Sequence, residues 1–228
     1  MKPFYRVAVA AIALVGAATL GAAQAPSGVL NKLEVQKLVA AETPEASVAL
    51  AAHFTALADR YTADAANHKA MGQAYKANAN RSAVTSAAAH CDRLAALATE
   101  SATATRELAK FHRDLAGGKA AVVPKGAAPF TAGRGAPSPT ADQLHHLAMM
   151  ARTRADHLEL EEYFATVAKK NTAEAEDYVA LAKAYRAGVR KGTYDAAVTF
   201  DRLAKAARDA AKEAAAAASL HKQLANIG

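Results

Sequence analysis

The chain has 228 residues, 66 of them alanine, with no tryptophan, a single cysteine and a formal net charge of +7. Alanine is the best helix former and a poor strand residue, so this composition excludes an all-β fold or a parallel sheet. One cysteine excludes an intrachain disulfide and any multi-cysteine zinc or iron–sulfur centre.

The chain opens with Lys2 and Arg6, then an uncharged run from Val7 to Leu20, then Gly21 and Ala23 as small residues at the −3 and −1 positions of a cleavage site. The pattern predicts a secretory signal over residues 1–23, cleaved after Ala23, and a periplasmic or extracellular mature chain. The apolar run is shorter than the ~20 residues a spanning helix needs.

Residues 24–116 read as a first helical hairpin unit. A short helix is expected near 31–42. Thr43-Pro44 then supplies an N-cap and a proline at the first helical position. A long helix runs to about Ala79, Asn78, Asn80 and Arg81 mark a turn, and a second long helix runs to Ala116 before Gly117-Gly118. Residues 117–139, rich in Gly, Pro and Ala, read as a linker. Residues 140–228 read as a second unit, with Gly188 and Gly192 between its two long helices.

The two units correspond. At an offset of 110, Thr43, Leu50, Phe54, Ala58, Ala65, Ala74 and Tyr75 match Thr153, Leu160, Phe164, Ala168, Ala175, Ala184 and Tyr185. At 109, Asp92-Arg93-Leu94-Ala95 matches Asp201-Arg202-Leu203-Ala204, and His112 matches His221. Leu50, Phe54, Leu57, Tyr61, Asp64, His68, Met71 and Tyr75 follow the 4-3 spacing of one packed stripe. Leu94, Leu97, Ser101, Ala104, Leu108, Phe111 and Leu115 form the partner stripe, which His90 extends. The expected fold is all-α: tandem-duplicated long hairpins forming a four-helix bundle, with two short extra helices.

The basic surplus does not sit on a folded face. Residues 24–118 and 139–228 each carry a net charge of only +1, whereas 119–138 holds Lys119, Lys125 and Arg134 with no acid. Nucleic-acid binders cluster Lys and Arg on the fold, so no nucleic-acid partner is expected. A weak attraction to an anionic membrane surface is compatible with that stretch.

Asp64 and His68 are i, i+4 on one helix face, and counting outward from a turn near residue 80 sets His90 and Cys91 opposite them. Carboxylate, imidazole and thiolate together suit copper or zinc, with Met71 as a soft additional ligand. The plain alternative makes His68 and His90 seam residues that share a hydrogen bond, with Cys91 a small buried group. His112 and His221 lie in the last turns of long helices, where an imidazole meets free carbonyls and the negative end of the dipole, so a capping role is expected. His53 falls near the level of His112, and its counterpart Tyr163 is expected to face His221. His145-His146 with Met149-Met150 reads as a surface or lid helix. Glu159, Glu161 and Glu162 read as a solvated face. No Glu-x-x-His pair, nucleophile elbow, phosphate loop or c-type haem motif is present, so no enzyme is expected.

The run His90-Cys91-Asp92-Arg93-Leu94-Ala95, followed by Leu108-Ala109 and His112-Arg113, resembles exported bacterial alanine-rich helical-bundle proteins. The resemblance implies a fold and a compartment and no activity. The functional expectation is therefore a non-enzymatic interaction, scaffold or binding module, engaging a protein partner or itself. Metal binding by the first hairpin and reversible membrane-surface association are the alternatives.

Overall fold

The structure, a computed structural model, describes residues 29–77, 82–117, 139–188 and 192–227. The expected signal at 1–23, the linker from 118 to 138 and the turn residues Asn78, Asn80 and Arg81 lie outside the described residues. Six helices follow in order: α1 (Lys32–Ala41), α2 (Pro44–Ala77), α3 (Ser82–Leu115), α4 (Ala141–Met150), α5 (Arg154–Ala187) and α6 (Thr193–Ile227). No strand occurs among the described residues. The fold is an all-α bundle, as the composition requires.

Local chemistry sets the helix limits. Thr43 Oγ1 accepts the Ala46 N–H at 3.1 Å, leaving Pro44 at the first helical position, where its missing N–H costs nothing. Asn31, Thr140 and Thr153 head α1, α4 and α5 with reciprocal capping boxes to Glu34, Gln143 and Asp156. Gly117 ends α3 with φ +70. Gly192 precedes α6 with φ +88, and a Cβ there would stand 2.8 Å from Phe111 Cε2, so this connection closes onto α3 only through glycine.

The long helices pair as α2 with α3 and α5 with α6, and the two hairpins join into one bundle. Ion pairs fix the directions. Glu107–Arg202 and His90–Glu213 make α3 antiparallel to α6, while Asp64–Lys170 and Arg60–Glu174 make α2 antiparallel to α5. The two contacts between hairpins are unlike. The backbones of α3 and α6 pack directly, whereas those of α2 and α5 stand further apart. Residue size explains the difference. The buried face of α6 carries Ala196, Ala197, Ala204, Ala206, Ala207, Ala210, Ala214 and Ala217, whereas α2 and α5 carry Phe54, Tyr61, Tyr75, Phe164, Tyr178 and Tyr185. Small side chains admit a backbone closely, and rings hold backbones apart.

The short helices cross between hairpins. α1 precedes the first hairpin yet reaches α5, with Lys32 Nζ 2.8 Å from Asp177. α4 precedes the second hairpin yet lies mainly on α2, where His145 Nδ1 donates to the Ala70 carbonyl at 3.1 Å. Leu144 and Ala148 bury the inner side of α4, so the His145–Met150 segment is a packed helix with His146 and Met150 outward.

Ala214 is fully buried, so Ala214→Leu overfills a helix–helix contact at a cost of about 1–3 kcal/mol. At about 2–4 °C per kcal/mol for a chain of this size, thermal unfolding should move down by several degrees with helicity at 20 °C retained. An unchanged midpoint would mean that α6 does not depend on alanine for its seat.

Candidate functional site

Three clusters of hydrogen-bonded side chains link the two hairpins inside the bundle, each with a tyrosine of α2 or α5. At the middle level, Arg60 and Tyr61 of α2 meet Glu174 and Tyr178 of α5. Arg60 Nη2 donates to Glu174 Oε1 at 2.6 Å and Tyr61 OH donates to Oε2 at 2.9 Å. The hydroxyls of Tyr61 and Tyr178 share a very short hydrogen bond. The Arg60 guanidinium also lies 5.1 Å from the Tyr61 ring centroid, within cation–π range. Burial, with Tyr178 and Glu174 beside it, pushes the Tyr61 phenol well above its ordinary range, and burial does the same for Tyr178. Both phenols therefore stay neutral.

At either end stands an imidazole bonded to a tyrosine of the other hairpin. His112 Nε2 and the Tyr185 hydroxyl are 2.6 Å apart, and Phe54 stacks on His112 at 5.5 Å and 19°. At the opposite end, His221 Nε2 and the Tyr75 hydroxyl are 2.9 Å apart, and Phe164 stacks on His221 at 5.7 Å and 7°. The second cluster has one more member: His157 Nδ1 lies 3.2 Å from His221 Nδ1. Near His112 the comparable place is taken by buried Ser47, and both line a cavity of ≈30 Å³ with Tyr185.

These positions correct the capping role expected for His112 and His221. Both rings are buried and bond tyrosine hydroxyls; His112 does lie in the last turn of α3, as expected, whereas α6 runs on past His221 to Ile227. His53 does fall near the level of His112, since its neighbour Phe54 stacks on that ring, and one further expectation changes. His53 accepts the Leu30 N–H at 2.8 Å, tying the chain before α1 to α2. Tyr163 faces His68 with ring centroids 6.4 Å apart, and does not face His221.

The five residues expected to share a metal are distributed among three surroundings. Asp64 and His68 line a cavity of ≈50 Å³ with Tyr61, Ser101, Tyr163 and Lys170. Asp64 accepts from Lys170 Nζ at 3.1 Å. His68 Nδ1 is buried with no hydrogen-bond partner among the described residues. Burial brings the His68 pKa down to about 4, with Asp64 opposing and Lys170 reinforcing that shift. His90 donates from Nδ1 to Glu213 of α6 at 2.9 Å, away from His68. Cys91 and Met71 sit in the apolar cluster with Tyr75, Leu94 and Phe164, and burial pushes the thiol up to about 12.

The cause is register. The His68 cavity takes its α3 wall from Leu94, Leu97 and Ala98, while Cys91 lies against Gly72. Gly72 marks the level of Cys91 on α2, so His68 is four residues, or ~6 Å of helical rise, from that level. Among the described residues no group of three or more His, Cys, Asp or Glu side chains is placed to hold a metal ion.

Neither cavity suits an organic substrate, which needs roughly 300–1,000 Å³. A water takes roughly 30 Å³ of liquid volume, so these cavities have the scale of one or two waters. His157 carried no sequence signal of its own. The recurrence of Tyr75 and His112 as Tyr185 and His221 did mark the tyrosine–imidazole pairs, without saying who bonds whom. No family model, curated protein or solved structure matches the chain.

The two buried imidazoles set a pH dependence. Burial, then His157 and His90, lowers the His221 pKa to about 4, as burial does for His68. Between pH 6.5 and 4 the unfolded chain binds protons at these sites and the folded chain does not, so stability falls as the pH falls. The contribution of each is fully present above pH 6.5, about 3 kcal/mol from a shift of this size, and no more is lost below pH 4. Urea midpoints measured from pH 7.5 to 4 should drop steeply, and His68→Gln should flatten part of the slope. A flat profile in the parent protein would contradict neutral burial of both rings.

Proposed function

We propose that the protein is an exported, non-enzymatic helical-bundle module that works by binding a protein partner or a second copy of itself. The observation that carries this reading is the state of the buried polar groups. The tyrosines, the arginine–glutamate pair and the end histidines are committed to one another across the hairpins. Burial keeps the phenols of Tyr61, Tyr75, Tyr178 and Tyr185 protonated, and the cavities beside these groups are of water size. Such groups specify a single packing, and they offer no nucleophile–base pair near a substrate-sized cleft.

The helical surface supports binding. Charges of both signs alternate over it, forming pairs such as Lys76–Asp92, Lys110–Asp114 and Lys205–Asp209. Large apolar side chains stand out at Leu33, Met150, Tyr194 and Ile227. Export rests on Lys2, Arg6, the Val7–Leu20 run and the Gly21/Ala23 site. Among the described residues no helix is long and apolar enough to cross a membrane.

Two measurements test the reading. Amino-terminal sequencing of the protein recovered from its host should begin at Gln24, and an intact Met1 terminus would remove export. Photo-crosslinking residues placed singly at Leu33, Met150 and Tyr194 should trap one discrete adduct in the host. Uncrosslinked monomer at all three positions would remove the binding role on these surfaces.

A further inference from the structure

The polar levels of the bundle come in exchanged pairs. A shift of 110 residues between α2 and α5, and of 109 between α3 and α6, turns the Tyr75–His221 bond into the Tyr185–His112 bond. The same shift turns Arg60–Glu174 into Lys170–Asp64, again an ion pair across α2 and α5. It carries Tyr61 and Tyr178 onto Asn171 and His68. Each of the four residues thus gives way to a smaller one: arginine to lysine, glutamate to aspartate, one tyrosine to asparagine and the other to histidine.

The two middle levels differ in consequence. At the first, the Tyr61 hydroxyl donates to Glu174 and is bonded to Tyr178. At the second, His68 and Asn171 line the cavity of ≈50 Å³. His68 is buried, and its Nδ1 has no hydrogen-bond partner among the described residues. All four long helices contribute to the wall, as they do at ligand sites in bundle cores. The Asp64–Lys170 pair, with side chains 31% and 44% exposed, gives the cavity its edge toward solvent.

We propose that this cavity is a binding site for a short-chain alcohol of two or three heavy atoms (methanol or ethanol), its hydroxyl bonded to the His68 imidazole. Size sets the first limit. A buried cavity of ~150 Å³ takes benzene, so ≈50 Å³ holds about a third as many atoms. Charge sets the second. Asp64 is compensated by Lys170, and burial brings the His68 pKa down to about 4, so the ring is neutral at pH 7. A charged solute would enter without a counterion and bear the full desolvation cost.

The hydroxyl follows from the exchange of residues. At the first level the group that meets the carboxylate is the phenolic hydroxyl of Tyr61, and Asn171 stands in its place at the second. A hydroxyl both donates and accepts, so it pairs with a neutral imidazole in either tautomer. The alkyl group follows from the wall, to which Leu97, Ala98, Val167, Ala207 and Ala210 contribute apolar surface. Water satisfies the imidazole but wets that wall, whereas an alcohol suits both.

The test is a titration of the full-length protein with ethanol at pH 7.5, read by ¹⁵N spectra of the histidine rings and by nuclear Overhauser contacts from the ethanol methyl group. Three heavy atoms reach a dissociation constant of ~1 mM at best. We expect shifts at His68 that saturate in the millimolar range, unmoved His145 and His146 resonances, and contacts to the Ala98 and Ala207 methyl groups. Formate, of equal size but charged, should not bind. The double variant His68→Tyr/Asn171→Tyr, which installs the residues of the first level, should lose the site with helicity intact. Leu97→Ala should bind 1-propanol several-fold more tightly than the parent does. Shifts that stay linear in ethanol overturn the proposal, as do contacts from the water signal alone, equal binding of formate, full binding by the double variant, or an unchanged 1-propanol affinity in Leu97→Ala. If the double variant fails to fold, the parent decides: ethanol contacts confined to other methyl groups overturn the site.

Discussion

The structure depends on an inequality between two helix contacts. α6 buries a face that is mostly alanine, broken by Thr199, Phe200, Leu203 and His221, so α3 and α6 approach closely along the bundle. The opposite contact, α2 with α5, must then span a wider gap, and only long side chains fill it. Phe54, Tyr61, Tyr75, Phe164, Tyr178 and Tyr185 supply that length. Interiors are packed to crystal-like density, so a narrow side and a wide side in one bundle imply small residues on one and rings on the other.

The wide side is where polarity can be buried, and that determines its chemistry. A tyrosine that crosses the gap brings its hydroxyl to the far hairpin, where an unpaired polar atom would cost about 1–3 kcal/mol. Each one therefore meets a partner: Tyr61 meets Glu174 and Tyr178, Tyr75 meets His221, and Tyr185 meets His112. The partners come from the other hairpin in every case. The network thus ties the hairpins together with directional bonds, where the alanine seam supplies only close contact. Desolvation keeps His221 neutral at physiological pH and the Tyr61, Tyr75, Tyr178 and Tyr185 phenols protonated, beside the partly screened Arg60–Glu174 pair.

Much of the fold was legible because its signals are local. Thr43-Pro44 and Thr153 start helices where expected, Gly117 ends one, and the stripe Leu50–Phe54–Leu57–Tyr61 is buried along α2. The candidate metal set failed for a reason that is not local. Its members were correctly placed on inward helices, yet the level of His68 against α3 depends on how the chain turns between α2 and α3. That turn leaves His68 about four residues from the level of Cys91, which faces Gly72. Azimuth was the second gap. His90 was read as part of the α2-facing seam, but the third neighbour, α6, takes it through Glu213. Periodicity within one helix identifies a buried face without saying which of two flanking helices covers each position. The end histidines show the same limit: their inward face was readable, and the tyrosine of the other hairpin was not.

The short helices complete the coupling. A long hairpin alone buries one face of each helix and exposes the rest, so two hairpins joined only by a linker could separate without unfolding. α1 and α4 oppose that. Each reaches the first long helix of the other hairpin: α1 bridges from its own α2 to α5 through Lys32–Asp177, and α4 lies mainly on α2 through His145 and Leu144. Pulling the hairpins apart must break both straps as well as the alanine seam and the tyrosine bonds. Those costs are incurred together, so the straps, the seam and the tyrosine bonds oppose separation of the hairpins as a set.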